Sequence, residues 1–265
     1  ACYGVGTPQI RNVATIAGNL ATASPANDTI VPLVSMDAEV KLQSRVGVRK
    51  LKLADFYKGV RLTELQPNEM ITEIIIRELK ENQRGVFKRY ILRATHSISV
   101  VNTAIVITFD GHRIEKAVIV LGCVAPTVIR APEAESFLIG KELSAEIIEK
   151  AALLALKTIQ PISDLRATDK YRRRLVKILV EDGLNDLMGN HEKMGLPEKP
   201  VLLRGKENVG SKKLSKSISH PGSTAIQLKI NQKEYKTNKY HNKLLVDLIR
   251  DDAGLTGTKI GCGEG

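Results

Sequence analysis

Tryptophan is absent from this chain and aromatic residues make up only 4% of it, so a surface that stacks bases on rings has little to be built from. Cysteine is scarce too. Cys2, Cys123 and Cys262 are odd in number and spread over almost the whole length, which excludes a disulfide framework and makes reduced thiols the expectation. No stretch approaches the roughly 18 uncharged apolar residues of a membrane span, and no charged start followed by a short apolar run marks a secretory leader. A cytoplasmic protein with no membrane span is expected. Acidic residues are outnumbered, 29 Asp and Glu against 40 Lys and Arg, for a formal net charge of +11. The excess is diffuse: Asn190 to Gly222 holds seven Lys/Arg against three Glu and no aromatic ring, so no nucleic-acid partner is expected.

What is there suffices for folded domains, since 265 residues with 43% apolar content can make one large or two to three small cores. The stretch from Ile10 to Asp28 is distinctive for its small and hydroxyl-bearing residues. Gly18 has no Cβ, Ala14, Ala17, Ala21 and Ala23 leave space, and Thr15, Asn19, Thr22, Ser24 and Asp28 supply short-reach donors and acceptors. Such a bend suits a polar, flat, phosphorylated ligand, although the same composition also describes a plain loop.

Further on, Ala38 to Ser44 alternates with period two, as a half-buried strand does, and Leu65 to Ile76 reads as a turn followed by a buried strand. Gly85 to Arg93 opens a second domain. Ser97 to Phe109 is a long apolar run, Asp110-Gly111 signals a hairpin, and Arg113 to Val124 is the returning strand. Cys123 on that strand reads as a small buried hydrophobe. Two amphipathic helices follow, Ser144 to Thr158 and Thr168 to Leu187, the second capped by Thr168. Arg172, Arg173 and Arg174 read either as an exposed helix face or as a hold for an acidic neighbour. Residues 190–222, rich in Pro, Gly and Ser, read as a linker, and Thr224 to Thr237 reads as a hairpin before a helix at Leu244 to Arg250.

Gln9-Ile-Arg-Asn-Val-Ala-Thr-Ile-Ala-Gly-Asn19 followed by Ala23-Ser-Pro-Ala-Asn-Asp28 resembles the FAD-binding signature of the xanthine dehydrogenase and carbon monoxide dehydrogenase flavoprotein subunits. Ala17 stands where that family usually has a second glycine. Pro161-Ile-Ser-Asp-Leu-Arg-Ala-Thr-Asp-Lys-Tyr-Arg-Arg173 resembles the end of the family's C-terminal flavoprotein domain. The resemblance implies an α+β chain: the second lobe of a PCMH-type FAD-binding domain at 1–82, an α/β-layered flavoprotein C-terminal domain at 83–189, the linker at 190–222, and an incomplete β-grasp ferredoxin-like domain at 223–265. It also implies FAD contacts at Thr15, Gly18, Asn19, Thr22 and Asp28, flanked by Val5, Gly6 and Ile10, with Met70, Ile71 and Lys88 beside the isoalloxazine.

The chain closes with Leu255 to Gly265, which resembles the start of the same family's plant-type [2Fe–2S] domain, with Cys262 as the first metal ligand. Such a cluster needs Cys-x4-Cys-x2-Cys and a fourth Cys, so a [2Fe–2S] cofactor is expected only if the missing ligands follow Gly265, and the resemblance implies truncation at both ends. The activity implied is electron transfer in a molybdenum hydroxylase, from iron–sulfur clusters through FAD to an acceptor. The partners implied are a molybdopterin-binding large subunit and a separate iron–sulfur subunit. The alternative is a non-catalytic docking module that holds such subunits together.

Overall fold

The computed structural model describes residues 1–94, 96–194, 225–237 and 244–260. They divide into two compact units, the first holding residues 1–7, 11–94 and 96–194, the second residues 8–10, 225–237 and 244–260.

The first unit is organised around a four-stranded antiparallel sheet in the order β6-β7-β8-β9, formed by Gln83–Tyr90, Val101–Asp110, Arg113–Gly122 and Ile129–Arg130. Its centre is the hairpin that the Asp-Gly signal announced, closing through Gly111, whose φ of +57° is easy for a residue without a Cβ. The apolar run of β7 has no polar alternation because both faces of this sheet are covered. On one face Ile105, Ile107, Ile119 and Leu121 meet three helices, α4 (Pro132–Leu138), α5 (Ala145–Ala155) and α6 (Asp169–Gly189). On the other face Ala104, Val106, Val118 and Val120 share a core with Leu20, Val31, Val40, Leu42 and Phe56. One hydrophobic core thus runs across residue 82, the boundary expected between two domains.

The elements on that second face come from the first 77 residues. They are the short helices α2 (Ile16–Ala21) and α3 (Ile30–Ser35) and a three-stranded antiparallel sheet in the order β2-β1-β5, made of Val48–Lys52, Glu39–Gln43 and Met70–Ile75; α1 (Pro8–Val13) precedes them in sequence and has no buried residue. Between the strands of this sheet lies a small hairpin, β3 (Tyr57–Gly59) and β4 (Leu62–Thr63). The bend expected at 10–28 is therefore mostly helical. Helix α2 starts at Thr15, whose Oγ1 accepts a hydrogen bond from the Gly18 N–H at 2.9 Å. Helix α6 is likewise capped by Thr168, which accepts from the Tyr171 N–H at 3.2 Å.

Arg172 departs from the exposed helix face read for the Arg172 to Arg174 run, whereas Arg173 and Arg174 are exposed. Among the described residues Arg172 is the largest fully buried side chain, 1% exposed, and it donates to the carbonyls of Val100 at 2.5 Å and Cys123 at 3.3 Å and to the Asp164 carboxylate at 2.7 Å. The helix carries it inward because position 172 lies on the same face as Leu175, Val176 and Leu179. Asp164 also accepts from the Arg166 guanidinium and from the backbone N–H groups of Arg166 and Ala167. Burial pushes the Asp164 carboxyl up, but these hydrogen bonds outweigh it and hold its pKa well below the usual carboxylate range. A depressed folded-state pKa stabilises the fold above the unfolded value, near 4, and that stability is lost as pH falls through the folded one. Asp164→Asn should therefore flatten the acid limb of stability against pH below about pH 4, read from urea midpoints.

In the second unit β10 (Ile226–Ile230) and β11 (Lys233–Thr237) form the expected hairpin. Its two turn residues, Asn231 and Gln232, have φ of +49° and +68°, the geometry of a type I′ turn. A helical segment at Leu245–Asp252 follows.

Candidate functional site

Asp28 sits where three strands of the central sheet meet the bend. Arg89 on β6 lies opposite Asn102 on β7, which lies opposite Gly122 on β8, so the three share the face that carries Ala104 and Val120. The Asp28 carboxylate accepts from the Arg89 guanidinium, from the Ser99 hydroxyl at 2.5 Å and from the Asn102 amide at 2.9 Å. Arg89 also donates to the Gly4 carbonyl at 2.6 Å, tying the amino-terminal turn into the same network. Gly122 is required by closeness: an added Cβ would stand 2.0 Å from Asn102 Oδ1, 2.8 Å from Val31 and 3.0 Å from the Pro25 carbonyl. The Cys123 N–H donates to that same carbonyl at 2.9 Å, which seats the bend directly on the end of β8.

Above this seat the bend is held by its own polar groups. Thr22 Oγ1 donates to the Asn19 carbonyl at 2.7 Å and accepts from the Asn27 amide at 3.0 Å. The Asn27 amide also reaches the Asn19 carbonyl at 2.6 Å, and Thr29 donates to Asn19 Oδ1 at 2.5 Å. The Asn19 amide NH2 has no partner among the described residues.

A cavity of about 460 Å³ opens beside these groups. Asn19, Thr22, Ser24, Ala26, Asn27 and Asp28 line it from the bend, Val5 and Gly6 from the amino-terminal turn, Arg61 from the tip of the β3–β4 hairpin, and His96, Ser97 and Ile98 from the segment before β7. Its size falls in the range of small-molecule sites, and its lining offers hydroxyls, amides and a guanidinium that has no partner among the described residues. That set fits part of a phosphorylated flavin.

Five residues expected from the resemblance meet here: Val5, Gly6, Asn19, Thr22 and Asp28. Asp28 is 7% exposed and its oxygens are taken by Arg89, Ser99 and Asn102, so it shapes the wall more than it offers free acceptors. Thr15 and Gly18 form the start of α2 and do not line the cavity, and Ile10 lies on α1. Met70, 67% exposed, and Ile71 sit on β5 opposite Gln43 and Leu42, away from the lining. Lys88 is occupied elsewhere, pairing with Asp182 at 2.8 Å and Asp186 at 2.6 Å on α6. Burial would lower its pKa, but those two carboxylates outweigh that and raise it, so its charge is already matched inside the fold. Cys123 is buried, its thiol pushed up to about 12 by desolvation, and it donates weakly to the Ser99 carbonyl. Cys262 lies outside the described residues; among those described, no group of three or more His, Cys, Asp or Glu could hold a metal.

Arg61, His96, Ser97 and Ile98 were missing from the sequence-based set. Arg61 is one basic residue among 40, at a hairpin tip with no motif around it, and nothing local brings residues 61 and 96 to the bend.

Two family models match the chain: the FAD binding domain in molybdopterin dehydrogenase over residues 1–77, and the CO dehydrogenase flavoprotein C-terminal domain over residues 87–187. Among curated relatives, the glyceraldehyde dehydrogenase medium chain of Sulfolobus acidocaldarius is 34% identical over 175 residues, 66% of this chain and 62% of the relative. The nicotinate dehydrogenase FAD-subunit of Eubacterium barkeri is 32% identical over 193 residues, 70% and 65% of the two. The chain thus spans under two thirds of the length of each. A solved carbon monoxide dehydrogenase from Hydrogenophaga pseudoflava superposes with a TM-score of 0.66 at 28% identity, over 69% of this chain and 63% of that one. The cavity and its bend lie mostly in the first matched domain, the sheet that supports them mostly in the second, and the chain belongs to the FAD-binding medium-chain subunits of the xanthine and CO dehydrogenase family.

Proposed function

We propose that the chain is the FAD-binding electron-transfer component of a molybdenum hydroxylase of the xanthine, aldehyde or CO dehydrogenase type. The observation that carries this reading is the cavity on the bend, with a donor set that suits a flavin dinucleotide, inside a matched FAD binding domain. FAD would supply the chemistry, taking electrons from iron–sulfur clusters and handing them to an acceptor. The residues of this chain bind and orient it. Asn19 and Thr22 present the amide and hydroxyl edge of the bend, Val5 and Gly6 close the amino-terminal side, and Asp28 fixes the bend to the sheet. Thr15 and Gly18 act one step back by setting the start of α2.

The partners that go with this role are a molybdopterin-binding large subunit and an iron–sulfur subunit; the description of relatives as medium chains and FAD-subunits supports that. Residues 223–265 are read as the opening of a ferredoxin-like domain, supported by the β10–β11 hairpin and the helical segment after it. Reconstitution with FAD followed by gel filtration tests the central reading. The chain is expected to elute yellow with close to equimolar flavin; a colourless chain at saturating FAD would remove the electron-transfer role and leave the docking-module alternative.

A further inference from the structure

Non-glycine residues with positive φ are uncommon, each costing about 1 kcal/mol, and such outliers gather where function demands them. Two of them line the cavity on the bend, Arg61 at +56° and His96 at +52°, and a third, Ala23 at +48°, lies between the lining residues Thr22 and Ser24. Arg61 is presented by a hairpin that adds little to the core, since Val60 and Leu62 beside it are each 59% exposed. The hairpin tip is nonetheless pinned to the bend, because the Arg61 N–H donates to the Ala23 carbonyl at 3.0 Å. His96 is held on the other wall through its carbonyl, which accepts from the Arg93 guanidinium at 3.0 and 2.6 Å.

The charge around the cavity is lopsided. Its ionisable lining groups are Asp28, Arg61 and His96, and Asp28 is already neutralised by Arg89. The Arg61 guanidinium has no hydrogen-bond or ion-pair partner among the described residues. Arginine offers a planar fork of donors that matches phosphate oxygens, and a guanidinium fixed by its backbone at a cavity wall, with no internal acceptor, is placed to meet an anion. We infer that Arg61, assisted by His96, is the phosphate-recognising residue of this cavity and makes it select a phosphorylated flavin over riboflavin. The inference rests on the flavin reading above and adds to it a specificity determinant that the signature motif does not contain.

Flavin fluorescence quenching on the full chain tests it, titrating FAD and riboflavin in turn into wild type, Arg61→Gln and Arg61→Lys. Arg61→Gln is expected to weaken FAD binding by about 10- to 100-fold while changing riboflavin binding less than about twofold, and Arg61→Lys to recover part of the loss. The FAD affinity of wild type should also fall more steeply with added salt than that of Arg61→Gln. Because Arg61 is exposed, its melting temperature serves as the folding check and should stay at the wild-type value. Equal weakening of FAD and riboflavin, or no weakening of either, would overturn the phosphate role and leave flavin binding standing. Failure of wild type to bind either flavin would overturn the flavin reading and this inference with it.

Discussion

Asp28→Ala is expected to destabilise the first unit by about 3–5 kcal/mol, a fall in Tm of roughly 6–20 °C, and to loosen the bend that forms the cavity. The reason is what the substitution leaves behind. Arg89 would keep its bond to the Gly4 carbonyl but lose its counter-charge, and the buried Ser99 hydroxyl and Asn102 amide would lose their acceptor. Breaking a buried charge pair from one side is among the costliest single changes, because the surviving charge stays out of water. Asp28→Asn keeps the shape and one acceptor oxygen, so it should lose less; its loss relative to wild type measures the charge, and the gap between the two variants measures the shape and the remaining acceptor. Urea or thermal unfolding gives both numbers. Loss of less than about 1 kcal/mol in Asp28→Ala would mean that the network carries no weight.

Arg172→Met should cost a similar amount, about 3–5 kcal/mol, although Met has a comparable length and no polar group to bury. Three acceptors lose a donor at once: the Val100 and Cys123 carbonyls and Asp164 Oδ1. Asp164 keeps Arg166 and two backbone N–H groups, so most of the loss falls on the two carbonyls at the ends of β7 and β8. Those carbonyls flank Ser99 and the Cys123–Pro25 contact, so the change should also reach the seat of the bend. Arg174→Met is the matched control. It lies on the exposed side of α6 and should stay within about 0.5 kcal/mol of wild type in the same unfolding measurement.

These two residues also mark how far the sequence could be read. The α6 helix was legible from its 3.6 period and its Thr168 cap, and so was its apolar stripe at Leu175 and Leu179. Arg172 was misread because charge is taken as a sign of exposure, and only the meeting of α6 with the ends of β7 and β8 supplied the acceptors that let it be buried. Lys88, which the resemblance set beside the isoalloxazine, pairs with two aspartates on α6, and that pairing too was not legible from its neighbours in sequence. The grouping of Asn19, Thr22 and Asp28 along one cavity wall was legible because they lie within one short stretch.

The sequence by itself determined the local elements: the hairpin of β7 and β8 around Gly111, the Thr168 cap, the β10–β11 hairpin and the family signature of the bend. Each is written in neighbouring residues, and propensity, periodicity and capping act over a few positions. Only the tertiary structure decided that both faces of the central sheet are covered, that Arg89, Asn102 and Gly122 form one row under Asp28, and that Arg61 and His96 reach the cavity. Those facts depend on strand register and on which layer meets which. A slip of one residue would turn Asn102 to the opposite face and dissolve the seat, and no local pattern records that choice.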